Sequence, residues 1–245
     1  MTSDGSRADE ATRDRPALLQ ELRQFSTPAV LNGLKRLGLK PAQMQTTDRR
    51  MVRCVAPELG ARIGIAVTRT VATHRDERPT DAARARQLSR EFDALTASVP
   101  GPKFLVAENV GDWQGPVCIW GEVAANINLA TGFVAGLTNG PVRDVSEMRA
   151  LGFQTFAAGA DVGGGFVDIV GSGADVTVGG ITVATGDLVH GDEHGVVKIP
   201  WELAPRLPEA IRAHEAVERA VIAVCQSKEF SLEALATAWA SSGSH

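Results

Sequence analysis

The chain is short of cysteine and of long apolar runs, and each shortage excludes a class of protein. Its three cysteines, Cys54, Cys118 and Cys225, lie far apart, so neither a disulfide framework nor a Cys-x-x-Cys metal site is available. We expect them to be small buried side chains in a reducing compartment. No apolar run approaches the roughly 18 residues that span a membrane, and the polar first segment lacks the apolar core of a signal peptide. The sequence therefore predicts a cytoplasmic protein with no membrane partner.

Basic charge is not in excess either. The chain carries 25 Lys and Arg against 29 Asp and Glu, which gives a formal net charge of −4. This balance disfavours a generally basic nucleic-acid-binding protein, and we expect no nucleic-acid partner. Residues 75–97 are rich in arginine, but acidic residues are interleaved with them. We interpret this segment as the solvated face of an amphipathic helix.

The length and the pattern of elements favour one domain of the α/β class. A chain of 245 residues with 44% apolar and 22% charged residues is long enough to bury a sizeable core. We expect a disordered lead over 1–15, a single domain over 16–228, and a C-terminal helix and tail over 229–245. Helices alternate with β-branched strands, which indicates a mixed central sheet layered against helices. Helices are predicted over 16–25, 27–37, 75–97, 120–131 (beginning after Gly121), 145–151, 201–225 and 231–240.

The predicted strands fall into two groups. The first group covers 61–72, 103–110, 133–138 and 154–158, where β-branched and apolar residues are dense. After Gly159 short β-branched runs are separated by glycines, which is typical of tight turns. We interpret these runs as a β-meander over 166–170, 175–178, 181–184 and 196–199.

The most informative stretch runs from Gly121 to Asp144. The first N–H groups of a helix have no intrahelical partner and carry the positive end of its dipole, and a glycine at that point leaves room for a carboxylate. If the following strand ends beside this helix start, the N–H donors, the Arg143 guanidinium and the Asp144 carboxylate converge. Asp144 is a hard oxygen ligand for Mg²⁺ or Mn²⁺, and Arg143 can hold an oxyanion. The alternative is a surface ion pair between Arg143 and Asp144.

Two other motifs are interpreted as turns. Residues 190–194 (HGDEH) contain metal-ligand types, but the glycines around them predict a strand-turn-strand in which the side chains diverge. A polar turn is therefore preferred to a metal site there. The glycine-rich stretches 163–165 and 171–173 lack the helix and the Gly-Lys-Ser/Thr sequence of a phosphate loop.

These motifs together resemble a known family. It comprises the class II pyruvate aldolases that act on 4-hydroxy-4-methyl-2-oxoglutarate and related acids, and it includes the ribonuclease E activity regulators (RraA-like proteins). The likeness rests on Gly121-Glu122 opening a helix, on Gly132, and on residues 139–144 (NGPVRD). It extends to residues 186–200 (GDLVHGDEHGVVKIP) and, more weakly, to 26–38 (STPAVLNGLKRLG).

The resemblance implies a mixed α/β fold like the phosphohistidine swivelling domain, assembled as a homotrimer or homohexamer with sites between subunits. It implies that Asp144 binds a divalent metal, Mg²⁺ or Mn²⁺, and that Arg143 holds the 2-oxo oxygen of the substrate. It also implies that Glu122 orients a metal-bound water.

The implied substrate-binding set comprises Gly121, the backbone N–H groups of Val123 and Ala124, Arg143 and Asn139. The chain departs from the family pattern at Asn139 and Asn32, which stand where the family usually has Asp. Asn126 and Asn128 also replace small apolar residues in the helix. An Asn at 139 accepts hydrogen bonds but cannot act as a base.

The resemblance predicts a metal-dependent C–C lyase that acts on a 2-oxo acid and releases pyruvate. The reaction is retro-aldol cleavage of 4-hydroxy-2-oxo acids, decarboxylation of oxaloacetate, or both. Two alternatives stay open. One is a non-catalytic RraA-like regulatory binding protein, and the other is a diverged metal-dependent lyase or isomerase of a specialised pathway.

Overall fold

The computed structural model describes residues 15–74, 81–111 and 117–241. The lead expected over 1–15 lies outside the described residues except for Arg15, which begins the first helix. The helices are α1 (Arg15–Leu22), α2 (Thr27–Arg36), α3 (Ala82–Ser98), α4 (Glu122–Ala130), α5 (Val145–Leu151), α6 (Leu207–Gln226) and α7 (Leu232–Ser241). The first part of the helix predicted over 75–97 falls on residues 75–80, which are not described.

The strands form one main sheet and two small ones. The main sheet has the order β1-β6-β4-β3-β2-β11-β12, and β8 also pairs with β2. The strands are β1 (Arg53–Cys54), β2 (Arg62–His74), β3 (Lys103–Asn109), β4 (Phe133–Thr138), β5 (Pro141–Val142), β6 (Gln154–Ala157), β7 (Gly159–Ala160), β8 (Phe166–Ser172), β9 (Val176–Val178), β10 (Ile181–Val183), β11 (Leu188–Asp192) and β12 (Gly195–Ile199).

Strand β2 is the centre of the sheet. One of its edges pairs with β3 in parallel. Its other edge pairs antiparallel with β11 over its first residues and with β8 over its last. Strands β3, β4 and β6 continue the sheet in parallel. The expectation of a single α/β domain with a mixed sheet is confirmed.

Both faces of the sheet are covered, which explains the unbroken apolar runs of its central strands. One face packs against α3, α4 and α5 through a cluster that includes Phe92 and Met148. The opposite face meets the β9–β10 hairpin, and there Phe104 stacks on Phe156 with ring centroids 5.8 Å apart. Helices α1, α2 and α6 close the end of the sheet near β11 and β12. None of the described helices has the length and hydropathy of a membrane span.

Two sequence-based expectations are wrong. The strands after Gly159 do not form one meander, because β8 and β11 both pair with β2 whereas β9 and β10 pair only with each other. The β9–β10 turn is tight, since Gly179 and Gly180 have φ of 62° and 87°, values that favour glycine. The cysteines are free but not all buried, because Cys54 and Cys118 are half-buried and Cys225 is exposed.

Candidate functional site

The start of α4 lies beside the Arg143-Asp144 pair, as the sequence suggested. The residues before α4 run alongside the strand β5 and are held by two backbone hydrogen bonds. Ile119 N–H donates to the Pro141 carbonyl at 2.8 Å, and Arg143 N–H donates to the Trp120 carbonyl at 3.1 Å. Because these bonds flank Gly121, the first turn of α4 opens directly at the guanidinium and the carboxylate.

Asp144 has an unusual backbone conformation. Its φ of 53° and ψ of 42° are left-handed, and no other non-glycine residue in the described segments has a positive φ. That conformation costs an L residue about 1–2 kcal/mol, and Asp is among the residues that adopt it. Asp144 precedes α5 without capping it; instead its Oδ2 accepts the Glu122 N–H at 3.1 Å. The strain thus accompanies a carboxylate turned toward α4.

Gly121 is required for this contact. A Cβ at position 121 would fall on the Asp144 carboxylate and would lie 2.9 Å from Cγ of Arg143. Gly121 also contributes no side-chain cap to α4. Any larger residue would therefore fill the space where the helix start, the carboxylate and the guanidinium meet.

Arg143 is held on two sides. Its Nε lies 3.6 Å from Oδ2 of Asp144, and its Nη1 donates to the Gly163 carbonyl at 3.3 Å. Its side chain is about half exposed, at 54%. The guanidinium is thus oriented by a carboxylate and a carbonyl, and its remaining donors are open to the cleft among the described residues.

Two backbone donors face the same cleft. Ala125 N–H binds the Gly121 carbonyl at 2.9 Å, and the Glu122 N–H is taken by Asp144. Within the described residues, this leaves the N–H groups of Val123 and Ala124 without an acceptor. They carry the positive end of the α4 dipole, so they suit an anionic group.

These groups line a cleft of about 250 Å³. Cys118 and Trp120, which sequence analysis did not single out, line it as well. Burial raises the pKa of the Cys118 thiol. Because a thiol with a raised pKa is a poor nucleophile, Cys118 contributes an uncharged side chain to the lining. The signal that could have found both residues is their position directly before the helix start. The lining residues are Cys118, Ile119, Trp120, Gly121, Val123, Ala124, Ile127, Arg143 and Asp144.

Asn139 and Glu122 are placed differently from the rest of the predicted set. The Asn139 side chain pairs with the backbone of Asn109, since its Oδ1 accepts the N–H at 2.6 Å and its Nδ2 donates to the carbonyl at 3.1 Å. Its amide thereby extends the pairing between β3 and β4. The Glu122 side chain is exposed, and neither residue belongs to the cleft lining of the described chain. Asn32 lies in α2, which packs on α6.

The side chains near β11 that could ligate a metal lie closer to one another than the sequence predicted. His190 is buried, but Asp192, Glu193 and His194 place ligand-type atoms within 4.8 Å of one another. Burial acts to raise the pKa of Asp192, yet hydrogen bonds from Thr27 and His194 outweigh it and lower that pKa. The expectation that these side chains diverge is wrong for three of them. The oxygens of Asp192 are already occupied by N–H donors.

Asp144 presents one free carboxylate oxygen, a hard ligand of the type that a divalent cation accepts. Its Oδ1 has no hydrogen bond within the described residues, and it lies at a cleft with open backbone donors. Mg²⁺ is commonly held by one or two carboxylates with waters and substrate oxygens completing its shell. The residues present therefore fit a cation that the protein shares with water and a chelating ligand.

Comparison with known proteins agrees with this architecture. The chain is 32% identical over 132 residues to the uncharacterised protein MJ0644 of Methanocaldococcus jannaschii, a match that covers 51% of this chain and 61% of that protein. The chain thus spans less than two thirds of the length of this relative. A crystal structure of an uncharacterised protein from Pseudomonas syringae superposes with a TM-score of 0.68 at 22% identity, covering 92% of this chain and 93% of that one.

A second solved structure has the same fold. Streptomyces coelicolor RraAS2, described as an unusual member of the RNase ES inhibitor RraA protein family, superposes with a TM-score of 0.62 at 18% identity. That match covers 83% of this chain and 94% of the other. Residues 27–198 match the profile of the RraA-like family, Aldolase/RraA, which confirms the family expected from the motifs. The chain belongs to the RraA-like family.

Proposed function

We propose that the chain is a divalent-metal-dependent C–C lyase that acts on a 2-oxo acid and releases pyruvate. RraA-like family membership covers both lyase and regulatory members. The observation that supports the lyase is the convergence of open N–H donors, a positioned guanidinium and a carboxylate at one cleft. A surface ion pair needs no such helix start and no glycine beside it.

Each group of the cleft has a role toward a 2-oxo acid. The N–H groups of Val123 and Ala124 bind the C1 carboxylate at the positive end of α4. Arg143 holds the 2-oxo oxygen. Asp144 would hold a divalent metal, Mg²⁺ or Mn²⁺, which when bound supplies Lewis-acid polarisation of the 2-oxo group.

Decarboxylation of oxaloacetate is the reaction that the described residues support best. The C3–C4 bond breaks, CO₂ leaves, and the electron pair moves toward the 2-oxo oxygen as an enolate. Arg143 stabilises the negative charge on that oxygen, and one preorganised donor of this kind contributes about 3–4 kcal/mol. A proton from water then adds to C3 and gives pyruvate.

Retro-aldol cleavage needs one further group, a base that removes the proton of the substrate hydroxyl. Asn139 carries no charge and its amide is bonded to Asn109, so it cannot act as this base. The exposed Glu122 carboxylate, acting through a water, is the remaining candidate. We therefore expect oxaloacetate decarboxylation to exceed aldol cleavage.

The test is pyruvate release from oxaloacetate and from 4-hydroxy-2-oxo acids with Mg²⁺ or Mn²⁺, measured against a protein-free blank and with a chelator. Arg143→Ala is expected to lower kcat by about 100-fold or more. Arg149→Ala is the matched control, because Arg149 lies on α5 and pairs with Glu58 outside the cleft.

Full turnover in Arg143→Ala would contradict the assigned role. Absence of pyruvate release from every substrate, without any metal-dependent rise in Tm, would replace the proposal with a non-catalytic binding protein. The exposed Val123 and Ile127 side chains beside the cleft favour a neighbouring subunit there, so we propose a homotrimer or homohexamer.

A further inference from the structure

A second, larger cavity lies on the other side of α4. It is an open cavity of about 560 Å³ lined mainly by residues of β2, α3 and α4, and this volume is within the range of small-molecule sites. Ile127 lines both cavities, but Arg143 and Asp144 line only the smaller one. The larger cavity is thus separate from the groups assigned to the lyase reaction.

One wall of the cavity carries the cationic side chain of Arg69, which interrupts an apolar row on strand β2. Along β2 the residues on the face toward α3 alternate as Ile65, Val67, Arg69 and Val71, and all but Arg69 belong to the core cluster there. Side chains on one face of a strand share one environment, so a guanidinium at this position is exceptional. The Arg69 guanidinium lies 5.1 Å from the centroid of the Phe92 ring.

Arg69 makes no ion pair and no hydrogen bond among the described residues, and its guanidinium contacts the Phe92 ring. Its Nε is buried and makes no hydrogen bond. Burial lowers the pKa of Arg69 to about 10, and no neighbouring carboxylate in the described segments offsets that burial. Arg69 as a whole is half-buried, and a partly buried cation without an ion pair favours an anionic ligand.

Two further polar groups in this cavity are also unsatisfied. Thr96 and Asn128 are each only 6% exposed, and Oγ1 of Thr96 and Nδ2 of Asn128 have no hydrogen-bond partner in the described residues. Both residues line the cavity with Arg69. Buried polar groups in native proteins are almost always bonded, so three such groups around one cavity suit a polar ligand.

The remaining lining defines the chemistry of that ligand. Phe92, Ile127 and Ile169 supply apolar walls, and Lys103 adds a second cation. Asp93 contributes one carboxylate, so the lining keeps a net positive charge. We propose that this cavity binds an organic monocarboxylate, with its carboxylate on Arg69, Asn128 and Thr96 and its apolar body against Phe92 and Ile169.

The experiment is calorimetric titration of the full chain with 3-phenylpropionate, which lacks a 2-oxo group. The neutral amide of the same acid serves as the matched ligand. We expect the acid to bind at least about tenfold more tightly than the amide. Binding is expected to persist in Arg143→Ala and with a chelator, which separates this site from the proposed lyase site.

Substitutions in the cavity lining test whether 3-phenylpropionate binds there. Arg69→Gln and Thr96→Val are expected to weaken acid binding by about tenfold or more, whereas Arg86→Gln on the exposed side of α3 leaves it unchanged. Equal affinity for acid and amide, or unchanged affinity in Arg69→Gln, would overturn the proposal. Should Arg69→Gln fail to fold, the isosteric Thr96→Val decides, and unaltered binding in that variant counts against the site.

Discussion

Asp144 shows how one residue joins two elements at the candidate site. Its left-handed backbone turns the carboxylate away from its own helix, α5, and toward the first N–H of α4. The contact is possible because Gly121 has no Cβ there. The position of the Asp144 carboxylate therefore depends on glycine at 121, because a Cβ there would displace it.

Gly121→Ala tests this dependence. The new Cβ would displace the Asp144 carboxylate and the Arg143 side chain, and a displacement of about 1 Å at a reacting group can cost about 100-fold in rate. We expect a loss of that order in pyruvate release, measured with saturating metal. Gly164→Ala is the control, since a Cβ there meets nothing within 4 Å. Equal activity of the two variants would refute the requirement.

Asn139→Asp tests whether the amide at 139 serves structure rather than catalysis. An aspartate keeps the bond from the Asn109 N–H but places its second oxygen against the Asn109 carbonyl, where Nδ2 now donates. We expect a loss of about 1–3 kcal/mol in the free energy of unfolding near pH 7. The loss should shrink as the pH falls through the carboxyl range near about 4, where the protonated acid can donate again. Denaturant unfolding at several pH values measures it, and a more stable or more active variant would contradict the interpretation.

At the scale of elements, α2 is fastened to β11 by polar contacts at its first residue. The Thr27 N–H donates to the Asp192 carboxylate at 2.8 Å, and the Thr27 hydroxyl bonds Nδ1 of His190 at 3.1 Å. His190 is buried, and burial outweighs the attraction of Asp192 and lowers its pKa from 6.5 to about 4. The junction is therefore built around a neutral imidazole.

This shift makes the stability depend on pH in a defined direction. Between pH 6.5 and about 4, His190 is protonated in the unfolded chain but neutral in the native chain. The contribution of His190 is therefore complete above pH 6.5 and declines as the pH falls, by about 1.4 kcal/mol per pH unit. His190→Gln should flatten the slope of unfolding free energy against pH in that window. The surface variant His214→Gln should retain it, and identical slopes for His190→Gln and the natural chain would refute the assignment.

Elements specified by local signals could be predicted from the sequence. The start of α4 after Gly121 and the strand Phe133–Thr138 lie where the glycine and the apolar run place them. The pairing of β8 and β11 with β2 could not, because the partners are about a hundred residues apart and nothing in either pattern specifies the other. The meander expectation assumed that neighbours in sequence are neighbours in the sheet.

The same division holds for the candidate site. Gly121, Arg143 and Asp144 could be predicted together because they lie within one short motif that the chain folds back on itself. The bond between Asn139 and Asn109 depends on the register of β3 against β4, which the sequence does not reveal. Arg69 interrupts a period-two apolar row on β2, and that interruption was a signal available in the sequence.

At the scale of the whole molecule, two exposed apolar side chains lie together at the cleft. Val123 is 75% exposed and Ile127 is 59% exposed, and both lie beside the candidate site. Exposed apolar side chains grouped at a site are typical of a surface that a partner covers. A neighbouring copy of the chain at this position would bury them and narrow the mouth of the cleft.

Val123→Glu tests this assembly. Light scattering should show a trimer or hexamer for the natural chain and a smaller species for the variant, because a charge buried without a partner at an interface is strongly unfavourable. Ile222→Glu is the control, since Ile222 is 49% exposed on α6 and lies outside the cleft lining of the described residues. The circular dichroism spectra of both variants should match that of the natural chain. If the natural chain is a monomer, or if Val123→Glu keeps its mass, the face is not an interface and a single chain must complete the site.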